Sequence, residues 1–370
     1  MSFPDKPIAQ LLGSTGPIHA VSYSASPGTY ILTGSSDRAV RLYNPSSLSP
    51  PPPSSSSTSS ITTSKPPPSH SIPQGRLIQT YSAHGHEVLS LSVSSDNARF
   101  VSAGGDRAAF LWDVTTAQTI RRFTGTGTTG HTGRINAVSF GGKDDGLVVT
   151  AGFDTTVRIW DVRSGGSGGA KPVQVLTEAK DSVAALVVRD SEIVAGSVDG
   201  RVRGYDVRMG RVVTDVVGAS VTSLCLSRDG RTMLVGSLDS KMRLMDREQG
   251  TCLKTYGDDG WRNEELRVQS VLGGKERYVV TGDELTAAGE EGEVDGKVWA
   301  WDLLSGKTVA TLRVPWGPGG VESRKRVLGR DGKEKERKNV VSCIDWKEGG
   351  YGDQFCVGGT SGVVTVFGTA

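Results

Sequence analysis

Cysteine is scarce in this chain, and its four copies are poorly placed for chemistry. Cys225, Cys252, Cys343 and Cys356 form no CxxC pair and no metal-like spacing, which argues against a disulfide framework or a zinc module. Cys225, Cys343 and Cys356 fall in predicted strands, where a free thiol acts as a small buried hydrophobe. Histidine is also rare, with five copies. His84 and His86 are the one close pair, with no third ligand in reach of a recognisable spacing, and no metal or cofactor is expected. No window approaches the run of about 18 apolar residues that a membrane-crossing helix needs, and the first residues lack the charged-then-apolar pattern of a secretory leader. Net charge is only +2, so no global field recruits nucleic acid or a membrane surface. These absences point to a reduced, soluble, intracellular protein, any electrostatic partner of which must be attracted locally.

What the chain does have is glycine, 49 residues of it, and a repeated unit. Residues 147–161, LVVTAGFDTTVRIWD, read as two short strands around a tight turn. Leu147, Val148 and Val149 supply one apolar run, and Val157, Ile159 and Trp160 the next. Gly152 and Asp154 favour the turn between them. Such a hairpin cannot bury its own faces and needs copies to stack on. A turn acid followed six positions later by a large residue recurs as Asp37/Tyr43, Asp106/Trp112, Asp154/Trp160, Asp199/Tyr205, Asp239/Met245 and Asp295/Trp301. Ser361/Phe367 is a seventh copy without the acid. A further strand precedes each turn, as in IHAVSY, VLSLSV and INAVSF, and Gly-His pairs stand before two of these, at Gly85-His86 and Gly130-His131.

With Trp-Asp at 112–113, 160–161 and 301–302, the chain resembles the WD-repeat family over nearly its whole length. That resemblance implies an all-β, seven-bladed β-propeller forming a single unit over residues 1–370. The chain ends on a third strand without a fourth, while PIAQLL at residues 7–12 has no partner nearby; the family pattern implies that this N-terminal strand closes the ring. Residues 45–75 are almost entirely Ser, Pro and Thr and read as a disordered insertion within the first blade. An acidic loop, residues 283–295 in blade 6, and a charged loop, residues 314–338 between blades 6 and 7, are expected to lie side by side.

Histidine, hydroxyl and carboxylate occur together twice, and the resemblance assigns them to structural tetrads: His86, Ser102, Asp106 and Trp112, then His131, Thr150, Asp154 and Trp160. Their duplication in adjacent blades, and the lack of a nucleophile elbow or phosphate loop, argue against an enzyme. The first copy has no Gly-His pair, so Asp37 is expected to be held less firmly than Asp154. Just before each turn acid lies a residue of the rim. There copies three to five place Phe153, Val198 and Leu238 side by side, with Arg134 and Asn136 as a polar border; an apolar cluster of this kind marks a protein-binding surface.

Copies four and five resemble one group within the family, which implies a non-enzymatic scaffold, expected to be monomeric. Its implied partners are components of a mitogen-activated protein kinase cascade and the pre-mRNA splicing machinery, in the cytoplasm and also the nucleus. A second reading rests on the WDxR pattern of cullin ubiquitin ligase substrate receptors. Trp160-Asp161-Val162-Arg163 carries it, with a variant at Tyr205-Asp206-Val207-Arg208.

Overall fold

A computed structural model describes residues 3–48, 72–125, 129–163, 171–284, 295–317, 327–328, 334–335, 338–347, 349 and 352–369. Seven four-stranded antiparallel sheets follow one another around a ring. The first six span residues 18–82, 88–123, 135–176, 183–216, 221–256 and 270–314. The seventh is built from both ends of the chain: Val341–Trp346, Gln354–Gly359 and Val364–Gly368, with Lys6–Leu11 as its outer strand. Pro7 faces Phe367 and Leu11 faces Val364 across that seam. The expected seven-bladed propeller, closed by the N-terminal strand, is the fold of this chain.

The blades cohere because both faces of each sheet carry β-branched, leucine and aromatic residues that fill the gap to the next. Val101, Leu111, Phe123, Ile135, Phe140, Val148 and Trp160 form one such seam, between the second and third blades. One contributor was not legible in the repeat pattern. Phe3, upstream of the closing strand, packs edge-on against Tyr278 with ring centroids 5.1 Å apart, and lies 5.8 Å from Phe355. It ties the start of the chain into the seam between blades 6 and 7.

The inner strands share one irregularity. The ladder slips by a residue at its start in six blades, between Ile18 and Ala20, Val88 and Ser90, Ile135 and Ala137, Val183 and Ala185, Val221 and Ser223, and Val341 and Cys343. A bulge re-aims the extra side chain, and here it aims His19, Asn136 and Thr222 out of the regular ladder. On the rim opposite the turn acids, long side chains latch neighbouring blades: Arg121 donates to the carbonyls of Asp161 and Val162, and Arg189 to those of Ser227 and Arg228.

The inserted loops meet the blades at definite points. In blade 1 the third strand runs on to Leu48, which pairs with Gly75 at the start of the fourth. The core of the Ser/Pro-rich insertion, residues 49–71, lies outside the described residues, as do residues 164–170, residues 285–294 of the acidic loop and most of the charged loop. At the start of the latter Val314 and Trp316 are buried, and within it Val327–Leu328 pairs with Glu334–Lys335.

Candidate functional site

Six of the seven turns carry an acid, and the way each acid is held defines the rim around the channel. In blade 3 the tetrad forms as expected. Trp160 Nε1 donates to Thr150 Oγ1 at 2.9 Å, His131 Nε2 meets that hydroxyl at 2.7 Å, and His131 Nδ1 meets Asp154 at 2.9 Å. In blade 2 the histidine is His84, not His86. His84 Nε2 lies 2.7 Å from Ser102 Oγ, its Nδ1 lies 2.8 Å from Asp106, and Trp112 Nε1 donates to the same serine at 2.8 Å. His86 is exposed. The cause is register: the bridging histidine stands four residues before the inner strand, as His131 does before Ile135, and His84 keeps that distance from Val88. The Gly-His dipeptide at 85–86 is a coincidence of spelling.

These sets are structural in their chemistry. Ser102 and Thr150 are fully buried, and each hydroxyl is fixed between an indole N–H and an imidazole nitrogen. Neither oxygen can reach a substrate. Among the described residues no group of three or more His, Cys, Asp or Glu side chains could hold a metal ion, and the four cysteines are free. No described helix is long and apolar enough to cross a membrane.

Sequence reasoning missed a second device. Where the histidine is absent, an arginine four residues after the acid takes its place. Arg41 reaches Asp37 at 2.7 Å, Arg203 reaches Asp199 at 2.7 Å and Arg243 reaches Asp239 at 2.5 Å. Arg203 and Arg243 also donate to Ser197 and Ser237, two residues before the acid, at 2.8 and 2.7 Å. The expectation that Asp37 is loosely held therefore fails; its carboxylate also accepts the Thr15 N–H at 3.0 Å. The signal was present in the sequence: serine two before the acid and arginine four after it, in copies one, four and five.

Both devices hold carboxylates ionised. Burial alone would raise the Asp154 carboxyl, but hydrogen bonding and charge from His131, with the Thr132 N–H and the Thr156 hydroxyl, outweigh it and bring it to about 2. Asp199, raised by burial, is brought to about 2 by Arg203, Ser197 and the Lys180 N–H.

On the rim built this way, Phe153 is 56% exposed and Val198 37% exposed, while Leu238 is half-buried. Their backbone N–H groups donate to the carbonyls of Arg134, Ser182 and Ser220, which sets all three at one level on adjacent blades. Arg134 is exposed and lays its guanidinium over the Phe153 ring, 5.4 Å from its centroid, stiffening the anchor. Asn136 does not border the patch. It is buried, and its amide donates to Ser182 Oγ and to the Val183 carbonyl, both at 2.9 Å, joining blade 3 to blade 4. The bulge in the inner strand turned it inward.

Blade 6 departs most from the pattern. Asp283 and Glu284, read as part of an acidic loop, are buried. Asp283 accepts from Trp299 Nε1 at 2.7 Å, and Glu284 accepts the N–H groups of Glu264, Glu265 and Leu266. These acids fasten the blade. On the opposite rim, Arg163 and Arg208 of the two WDxR segments are exposed.

Comparison with known proteins agrees with this architecture. The family model "WD domain, G-beta repeat" matches residues 5–44, 75–113, 122–161 and 211–246. WD repeat domain-containing protein 83 of Rattus norvegicus is 37% identical over 311 residues, covering 84% of this chain and 83% of the relative. The Homo sapiens protein of that name is 38% identical over 320 residues, covering 86% and 85%. A homolog from Dictyostelium discoideum is 26% identical over 330 residues, covering 82% and 86%. The chain belongs to the WD-repeat family and, within it, to the group of WD repeat domain-containing protein 83.

Proposed function

We propose that this propeller is a non-catalytic scaffold that binds protein partners on the rim carrying Phe153, Val198 and Leu238. The observation that supports it is the exposure of Phe153 in a tight turn that ordinarily takes a polar residue, beside apolar residues at the same position on the next two blades. An aromatic anchor held by a stacked arginine, with flanking aliphatic contacts, matches the usual make-up of an interface hot spot.

The partners we propose are components of a mitogen-activated protein kinase cascade and, in the nucleus, the splicing machinery. Support comes from relatives that are also called MAPK organiser 1. Affinity purification of the tagged protein from cells, comparing wild type with the Phe153→Ser, Leu238→Ser double variant, tests both parts. Loss of kinase or splicing components from the variant is the expected result. Recovery of the same partners at wild-type level removes the patch as the interface, and recovery of a cullin adaptor in their place would favour the WDxR reading. Imaging of the tagged chain in both compartments tests where it works.

A further inference from the structure

One cation at the mouth of the channel has no counter-charge among the described residues. Arg267, just before the inner strand of blade 6, occupies the position that Arg134 holds in blade 3, but it turns inward. It lines a central cavity of about 270 Å³ walled by the inner strands of all seven blades. Its Nη1 donates to the Asn136 carbonyl across the channel at 2.6 Å. Its Nε is buried without a partner. No described carboxylate stands close enough to act on it; its charged neighbour is Arg134, and burial with that repulsion brings the guanidinium down to about 10.

Buried charges are ordinarily paired, because an uncompensated one costs several kcal/mol of desolvation. Elsewhere on this rim the rule is kept, since Arg41, Arg203 and Arg243 each grip a turn acid. Around the mouth it is not. The cavity's one acidic lining residue, Asp345, already accepts the N–H groups of Tyr23 and Trp346. Glu87 lies on the blade 2 side, near His19, whose ring accepts or donates to Ser36 Oγ at 2.7 Å. The remaining walls are largely hydroxyl-bearing or aliphatic, with Ser22, Ser90, Ser139 and Ser223 among them. The vacant edge of Arg267, Nε with Nη2, is the fork that takes a carboxylate bidentately. Presenting it requires that the guanidinium turn into the cavity it lines, at the loss of a single bond to Asn136.

We propose that the channel mouth receives an aspartate or glutamate side chain of a bound peptide segment, gripped by Arg267 and steered in by Arg134. This rests on the reading of the rim as a partner surface and specifies its partner: an acidic segment whose apolar residue sits on Phe153 while a neighbouring carboxylate enters the channel. Arg134 belongs to both halves of the site, stacking on the anchor and charging the entrance.

The probe is a random peptide library displayed on phage and selected on the intact chain, with affinities of selected peptides measured by fluorescence polarisation. Selected sequences are expected to be enriched in Asp or Glu near an apolar residue. Arg267→Gln should then weaken them about tenfold, with a shallower salt dependence, at a melting temperature that does not fall. If Arg267→Gln fails to fold, the exposed Arg134→Gln carries the same comparison, with a smaller loss and the same change in salt dependence. Selected peptides without acidic enrichment, or with full affinity for the charge variant, overturn the inference; the partner-surface reading survives that result if Phe153→Ser, Leu238→Ser still abolishes binding. If instead the charge variant weakens binding and the apolar double variant does not, the channel mouth stands and the apolar patch falls.

Discussion

Gly152 and His131 share a space that cannot hold one more atom: a Cβ on Gly152 would lie 2.7 Å from His131 Nδ1 and equally close to an oxygen of Asp154. In blade 3 that contact excludes the other way of holding the turn acid, while in blade 2 a Cβ on Gly104 would run into the Glu87 carbonyl instead. Copies with histidine have glycine two residues before the acid, at Gly104 and Gly152. Copies with arginine have Ser35, Ser197 and Ser237 there, and the hydroxyl joins the clamp.

Gly152→Ser should therefore break the blade 3 clamp without supplying the other, since the new hydroxyl displaces His131. A loss of about 1–3 kcal/mol is expected from overpacking. Chemical denaturation checks it, and the same site should tolerate serine better once His131 is also replaced by Ala.

Removing the acid itself should cost on the order of 1–3 kcal/mol in either kind of blade, because a buried donor is left without its acceptor. Asp154→Ala and Asp37→Ala are expected to lose similar amounts. A clear deficit at Asp154 alone, measured by urea titration, would mean that Arg41 contributes little.

Acid should unfold the ring through these carboxylates. Their pKa values are lowered in the folded state, to about 2 for Asp154 and Asp199, so the stability they add is present above the unfolded value near 4. It is lost as pH falls from about 4 through 2, where both states become protonated. The double variant Asp154→Asn, Asp199→Asn should flatten the stability profile over that window and leave its shape near neutrality unchanged.

Blade 4 has a vacancy that substitution can fill. Gly204 occupies the third-strand position where other copies carry Leu42, Leu111, Ile159 and Leu244. Beside it lies a cavity of about 290 Å³ lined by Val194, Val202, Val213 and Met233 and by the charged Glu192, Asp206, Arg211, Asp215 and Arg247, and a Cβ there would meet nothing nearer than 3.7 Å. Gly204→Ala should stabilise the chain by about 0.5–1 kcal/mol, read as a higher melting temperature.

The seam holding the chain ends together should be costly to open. Phe3→Ala removes a buried ring and is expected to cost about 3–5 kcal/mol. Deleting residues 1–14 should lower the melting temperature further and expose the edge of Val364–Gly368 to association. An unchanged melting curve with monomeric elution would show that closure adds little.

How much of this could be read from the chain depended on whether a feature was periodic. The strands and the seven copies follow from spacing, which survives sequence drift because every blade solves the same packing problem, and the closing strand follows from the family resemblance that the copies carry. His86 was misassigned because a dipeptide was matched where a distance to the strand should have been counted. Asn136 was placed outside because an alternating pattern cannot reveal a bulge. Arg267 was out of reach, since its meaning depends on blade 6 standing across the channel from blade 3, a relation that no local pattern encodes.

The seam also sets an order of events during synthesis. Lys6–Leu11 leaves the ribosome long before its partner Val364–Gly368, with six blades of chain made in between. Until that partner is made this strand has nowhere to pair, and the six intervening blades stack as an open arc with two bare ends. Each adjoining pair of blades can consolidate as it emerges, but the circle shuts in a single late step. A polypeptide halted before residue 364 therefore releases not one unfinished blade but two orphaned edges, the kind of surface that chaperones and degradation machinery are suited to meet.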